Sequence, residues 1–385
     1  MIWINKPNFS VSDTILIIIR MELELPKKEY SLDFRKNFNS LADSTLLEEY
    51  DQVILRNFPA CKQALITYKG KLIHEFTNPG PKTDSRMPFV NGIYSLMIPF
   101  IPHLEDTMHN NRGEAWNGRS VTKCVMSALT GIALGKGVLK SLDVTLGESL
   151  PDVPKDKQGI TLRQLLTMTS GLPFTDKIPD MPRWLKSKNW VEYLLTLPLG
   201  CQPGEKFSYS SGNTHLLAAV IDQCLDAKLR EFAQTELFDP LGFGNPYWEI
   251  DPQGIPFGSA NLFLPIRDML KIGCLYLQKG FWQGKQLISQ EWVSESTTSK
   301  VYANDHFEYG YAWWLRNYSL PDQIQPVKVI CACGWAGQRI YIIPEMEIVA
   351  AFISKADLWA VTENLDKLLG EFMLPAMREN STCAS

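Results

Sequence analysis

Ser120-Val-Thr-Lys-Cys-Val-Met-Ser-Ala-Leu-Thr-Gly-Ile-Ala-Leu-Gly135 is the stretch from which the rest of the chain can be read. Its apolar positions Val125, Met126, Leu129, Ile132 and Ala133 recur at helical spacing, and Gly135-Lys136-Gly137 supplies a C-terminal stop. The pattern predicts a helix opened by Ser120. A hydroxyl and an ammonium three residues apart on a helix share one face, and the positive potential of a helix start disfavours a charged lysine. If also desolvated, Lys123 becomes the neutral base that a serine nucleophile needs, because serine alone hardly ionises near neutrality. Ser-x-x-Lys occurs once in the chain. Composition alone produces roughly one or two such matches by chance, so a plain helix start with a solvated lysine stays open here.

Upstream, Ala64-Leu-Ile-Thr-Tyr-Lys-Gly-Lys-Leu-Ile-His74-Glu has two β-rich runs around Lys69-Gly70 and predicts a hairpin. Residues 79–85 read as a loop, 90–118 as an irregular aromatic stretch, and 1–45 as an N-terminal extension. Downstream, helical patterns run over Thr161–Met168, Trp190–Leu197, Thr214–Leu225, Lys228–Leu237 and Ile266–Gln278. Tyr309–Arg316 and Lys328–Ile353 have strand character, and Asp357–Phe372 is amphipathic. The expectation is a mixed α+β chain, with a sheet begun by the hairpin, completed by C-terminal strands and interrupted by a helical lobe. Its units are an extension (1–45), a sheet-containing α/β domain (46–119 with 254–385) and a helical domain (120–253).

Two further constellations lie within this frame. Pro203-Gly-Glu-Lys-Phe-Ser-Tyr209-Ser-Ser211-Gly-Asn213 puts a tyrosine on a sharp helix entry, where a phenol beside a lysine and a serine can relay a proton. By itself it also fits a half-buried structural tyrosine. In Cys333-Gly334-Trp335-Ala336-Gly337-Gln338, small residues enter a strand, so that a substrate could lie along its edge and a backbone N–H could face an oxyanion. The alternative is a glycine bulge.

Composition removes whole classes of function. The 385 residues are 45% hydrophobic and 21% charged, with 38 basic against 42 acidic side chains and a net charge of -4. That is ordinary globular composition with no basic run, so nucleic acid is not expected as a partner. The aliphatic run Thr14–Ile19 is too short to span a bilayer, no signal-type cleavage site follows it, and a cytoplasmic protein without membrane partners is expected. Eight scattered cysteines without C-x-x-C spacing suit buried free thiols. His103 and His109, six residues apart, do not share a helical face, and no metal or cofactor is expected. No Gly-x-Ser-x-Gly, P-loop or Gly-x-Gly-x-x-Gly motif occurs, and His215 is expected to pack or cap.

Taken in order, these motifs resemble the serine β-lactamase and penicillin-binding-protein-like superfamily, and within it the class C-like hydrolases that include 6-aminohexanoate-dimer hydrolases and related esterases. The resemblance rests on Arg119–Lys123, Gly159–Leu172, Pro203–Asn213, Phe238–Gly242, Tyr309–Trp314 and Gly337–Glu345, and it spans residues 60–372. It implies an antiparallel sheet flanked by helices plus an all-helical lobe, with the site at their junction. It also implies Ser120 as nucleophile, Lys123 as base, Tyr209 as general acid/base, and the backbone N–H groups of Ser120 and Trp335 as an oxyanion hole. Ser211, Gly334, Gln338 and Trp116 are expected to contact substrate, a small amide or ester. Two departures stand out. Ala332-Cys333-Gly334 replaces the family's Lys/His-Thr-Gly and removes a cationic anchor, and Ser211 stands where these lactamases usually carry asparagine. A β-lactamase or D-alanyl-peptide enzyme and a non-catalytic relative remain as alternatives.

Overall fold

A computed structural model describes residues 51–78 (except 57 and 59), 111–354 (except 178, 245 and 320–324), and 365, 369, 370 and 374. The extension 1–45, the loop 79–85, most of the irregular stretch, the His103–His109 pair, Cys383 and most of the C-terminal amphipathic segment lie outside the described residues.

The main sheet has eight antiparallel strands in the order Lys71–Thr77, Cys61–Tyr68, Ile348–Ser354, Gln338–Ile343, Val327–Gly334, Trp314–Tyr318, Glu308–Tyr309 and Val301–Tyr302. The hairpin forms around Lys69-Gly70, where both residues take positive φ, a conformation that glycine adopts without steric cost. Its first strand pairs with the last described strand, Tyr68 opposite Ile348 and Ala64 opposite Phe352. Pairing in the middle of the sheet buries both faces, which is why Ile348–Ser354 is an unbroken apolar run ending in a buried serine rather than an alternating one.

One face packs on the helix Ile266–Leu277, whose Gly273 allows close approach: a Cβ there would meet Val349 Cγ1 at 2.4 Å. Beyond it lies the larger core, which includes Val125, Met126 and Leu129 of the helix Thr122–Gly135 and Leu216, Leu217 and Val220 of the helix Ser211–Cys224. The other face buries Val53, Ile54, Phe76, Tyr341 and Phe352. Each fully buried aliphatic or aromatic side chain contributes roughly 1.5–3 kcal/mol, so both cores are substantial.

The helical patterns read from sequence between Ser120 and Gln278 all form, with shifted ends. Ser211–Cys224 begins three residues before the expected Thr214 because Ser210 caps it, its Oγ accepting from Gly212 N at 3.2 Å. Lys228–Leu237 becomes a short α-helix, Leu229–Ala233, that widens into a π-turn over Gln234–Phe238. The sequence reading missed a second, four-stranded sheet of very short strands, Asn111–Arg112, Ala115–Asn117, Leu262–Leu264 and Tyr247–Trp248. Two- and three-residue strands carry too little alternation to be seen. Seven cysteines are described, none of them in a disulfide; Cys61, Cys124, Cys274 and Cys331 are buried as expected, whereas Cys224 is exposed. No described helix is long and apolar enough to cross a membrane.

Candidate active site

Ser120 does not sit in the first turn of an α-helix. It occupies a 3-10 turn, Arg119–Val121, that runs directly into Thr122–Gly135. The residue before it, Arg119, has φ +50°, a left-handed conformation that costs a non-glycine residue energy and persists only where its surroundings hold it. Here a buried side-chain lattice does so. Arg119 N donates to Asn117 Oδ1 at 2.9 Å, Asn117 Nδ2 donates to Asn261 Oδ1 at 2.9 Å, and Asn261 Nδ2 donates to Glu249 Oε2. The short second sheet, which holds Asn117 and abuts Asn261, thus sets the serine's backbone.

Lys123 is only 1% exposed. Its Nζ lies 3.1 Å from Ser120 Oγ, 3.1 Å from Ser211 Oγ and 3.2 Å from Ser259 O. Burial pushes its pKa down from 10.5 to about 8, against the opposing pull of Asp176. Tyr209 is half-buried, hydrogen-bonds the Ser120 hydroxyl, and lies with its ring centroid 4.9 Å from Lys123 Nζ. Desolvation holds its phenol well above the usual range, so near neutrality it is a proton donor. The Tyr209 turn is fixed from below: Gly204 N donates to Thr169 O at 2.7 Å and Ser208 N to Met168 O at 2.8 Å. Ser170 Oγ and Asn213 Oδ1, 2.7 Å apart, tie the same two stretches together.

Ser120, Lys123, Tyr209 and Ser211 therefore meet, although they come from two helix starts 88 residues apart. The other expected contacts fare differently. Gly334 packs closely on the chain's own backbone. A Cβ there would meet Gly118 O at 2.6 Å and Arg119 Cβ at 3.2 Å, so the missing side chain admits the chain's own backbone. Gln338 is 3% exposed and its amide donates to Ser354 O at 2.7 Å, which joins two strands. Arg339, a conceivable carboxylate clamp, is 1% exposed and donates to Gly334 O at 2.6 Å. Trp116 is half-buried against the larger core. Trp335 stands exposed with Arg119 over its ring at 5.6 Å, which brings its strand end beside Ser120. Of the other tryptophans, Trp313 is core and packs on Tyr276, whereas Trp314 lies 5.4 Å from Tyr209, ring to ring. His215 packs as expected, its Nε2 3.1 Å from Asp251 Oδ2 in full burial.

Sequence reasoning missed Asp176 and Ser259. Ser211 Oγ donates to Asp176 Oδ2 at 2.7 Å and Ser211 N donates to Asp176 Oδ1 at 2.8 Å. Asp176 stands four residues past the Gly159–Leu172 stretch, and no local pattern marks it, because its partner lies 35 residues on. Among the described residues no cluster of His, Cys, Asp and Glu could hold a metal ion.

An antiparallel sheet laid on helices, with Ser-x-x-Lys at the start of a buried helix and a tyrosine turn facing it, defines the class of the β-lactamase and penicillin-binding-protein fold. The chain belongs to the Beta-lactamase family, whose pattern it matches over residues 100–370. It is 33% identical over 91 residues to lovastatin esterase of Penicillium rubens, covering 22% of this chain and 23% of that enzyme. It is 24% identical over 174 residues to 6-aminohexanoate-dimer hydrolase of Paenarthrobacter ureafaciens, covering 42% of each. These matches thus span less than half of each curated relative. The penicillin-binding protein of Bacillus halodurans superimposes with a TM-score of 0.61 at 17% identity, over 82% of this chain and 99% of that one, a likeness of fold.

Proposed function

We propose that this protein is a serine hydrolase that cleaves a small amide or ester through an acyl-Ser120 intermediate. The observation that carries the reading is Lys123: buried, 3.1 Å from Ser120 Oγ, and with a pKa brought down to about 8. A lysine so placed is substantially neutral at mildly alkaline pH and accepts the Ser120 proton as Oγ attacks the carbonyl carbon. The backbone N–H groups of Ser120 and Trp335 are assigned to the oxyanion. As the tetrahedral intermediate collapses, the carbon–leaving-group bond breaks and the neutral Tyr209 phenol protonates the leaving oxygen or nitrogen. The proton held on Lys123 restores the phenol. Water then attacks the acyl-enzyme with the same groups reversed, releasing the acid and regenerating Ser120–OH.

An uncharged ester or linear amide is preferred to a β-lactam. Ala332-Cys333-Gly334 offers no cation, and Arg339 is buried on a backbone carbonyl, so neither supplies a partner for a lactam carboxylate; an unpaired buried carboxylate costs several kcal/mol. The lovastatin esterase and aminohexanoate-dimer hydrolase relatives support the same choice.

Fluorophosphonate labelling of wild type and Ser120→Ala tests the nucleophile: label on the wild type alone is expected, and no label on either leaves a non-catalytic binding protein. Comparing kcat/KM for p-nitrophenyl butyrate, a linear aminohexanoate dimer and nitrocefin tests the substrate. Nitrocefin ranking first moves the reading to a lactamase.

A further inference from the structure

The contacts of Lys123 constrain which way its lone pair faces. A neutral amine has two N–H donors and one lone pair. Nζ has three oxygen neighbours, Ser259 O, Ser211 Oγ and Ser120 Oγ, at 3.1–3.2 Å. Ser259 O is a carbonyl and only accepts. A hydroxyl can do either, but the single Ser211 proton is already committed, since Oγ–H donates to Asp176 Oδ2 at 2.7 Å. The Ser211 N–H donates to the other oxygen of the same carboxylate at 2.8 Å, so the acid is gripped at both oxygens. A carboxylate only accepts and returns no proton. Ser211 must therefore take an N–H from Lys123, Ser259 takes the second, and the lone pair is left for Ser120.

We infer that Asp176 is a positioning residue which, by fixing the proton of Ser211, aims the lone pair of neutral Lys123 at Ser120. The inference rests on the reading of Ser120 as nucleophile and Lys123 as its base. It goes beyond that reading by giving a residue outside every motif a defined duty, and by explaining what a serine at position 211 does that an aliphatic side chain could not.

Asp176 also acts on Lys123 through charge, and in the opposite sense. Its negative charge favours the ammonium, while the bonded Ser211 proton orients the amine once it is neutral. The two effects separate in one substitution. In Asp176→Asn the amide oxygen keeps the Ser211 N–H, which leaves the amide N–H₂ facing Ser211 Oγ. The hydroxyl then turns its own proton toward Lys123 and competes for the lone pair. Of the other titratable groups facing Lys123, Cys124 on the same helix takes no charge effect from Asp176, whereas the Tyr209 phenol across the site, raised first by desolvation and then by the Asp176 charge, moves down with Lys123 when that charge is removed.

The experiment is the pre-steady-state release of p-nitrophenol from p-nitrophenyl butyrate between pH 6 and 10.5, for wild type, Asp176→Asn, Asp176→Glu, Ser211→Ala and the Asp176→Asn/Ser211→Ala double variant. Thermal melting of each shows that it is folded. Fluorophosphonate labelling of the wild type comes first: its failure removes the functional reading itself, whereas labelled wild type leaves the variants to judge Asp176. The expected result is an alkaline plateau lowered about 10- to 100-fold in Asp176→Asn, the usual size of a lost proton-transfer alignment. Asp176→Glu should recover part of it. In the Ser211→Ala background Asp176→Asn should change the plateau less than about twofold, because the hydroxyl through which it acts is gone. An unchanged plateau with only the acid limb moved to lower pH means that Asp176 acts by charge and overturns the inference. So does an Asp176→Asn effect that is undiminished without Ser211.

Discussion

The helix Ser211–Cys224 carries two buried polar assemblies one turn apart, and they are built to opposite ends. At Ser211 a lysine, two serines and an aspartate join by hydrogen bonds and lead to a half-buried Ser120 and a half-buried Tyr209. At His215 an imidazole and the Asp251 carboxylate are both fully enclosed, with Trp184, Trp190 and Phe257 at 5.4–5.9 Å around the ring. Asp251 is also spent on backbone, its Oδ1 accepting from Gln253 N and Ile255 N at 2.8 and 2.9 Å. Burial and pairing are common to both. The hydroxyl proposed as nucleophile, at the open end, is what distinguishes the first, so a buried basic group beside a carboxylate is a poor indicator of chemistry without such a group.

The comparison breaks most sharply by mutation at its two ends. Asp251→Ala leaves the His215 pocket with an unmatched partner and two orphaned N–H groups, and should cost about 3–5 kcal/mol in urea unfolding. Whatever stays folded should keep its kcat within about twofold. Tyr209→Phe should do the reverse, losing at least ~100-fold in kcat, or about 2.7 kcal/mol of barrier, with the unfolding midpoint unmoved. A stability loss at Tyr209, or an activity loss at Asp251 in folded protein, would erase the distinction.

A smaller effect sharpens it. Lys123 has its pKa lowered from 10.5 to about 8 by burial, so between those values the unfolded chain holds a proton that the folded chain has released. Stability then rises with pH across that window, while below about pH 8 both states are protonated and the desolvation cost is constant. Relative to Lys123→Met, the wild type should gain about 3 kcal/mol between pH 8 and 10.5, because each pH unit separating the two pKa values is worth about 1.36 kcal/mol. Urea unfolding of both proteins at several pH values measures it, and a constant difference would mean that the lysine is not desolvated.

The smallest effect concerns the turn after Trp335. Ala336 has φ +63°, so Ala336→Gly should relieve roughly 1 kcal/mol of strain and raise the melting temperature, while loosening Trp335 and slowing acylation a few-fold. A destabilised glycine variant would show that the left-handed alanine is not strained.

What the sequence makes legible depends on range. Ser120–Gly135 declares its helix because the apolar period lies within one turn-repeating segment, and Lys69-Gly70 declares its hairpin because the turn chemistry is local. Ser120, Lys123 and Tyr209 can be named because their motifs are short. Asp176 and Ser259 could not be named, since each acts through a partner 35 and 136 residues away and carries no pattern of its own. Gly334 and Gln338 were not legible as packing residues for the related reason that a small or polar residue at a strand start suits a ligand and a neighbouring backbone equally well. Here Gly118 O and Ser354 O are the neighbours.

The pairing of Cys61–Tyr68 with Ile348–Ser354 also bears on how the chain is made. Strands near the middle of the sheet come from opposite ends of the described chain, so the edge of the first hairpin emerges from the ribosome long before its partner is translated. Until then Ala64, Leu65 and Ile66, all buried in the finished fold, are exposed on an unpaired edge, the condition in which chains join their neighbours. Closing so long a loop is slow, and the helical core can assemble first. Cells expressing this protein should therefore need a chaperone most in the interval before Ile348–Ser354 leaves the ribosome, and a messenger truncated just before Ile348 should yield aggregate rather than a smaller soluble protein.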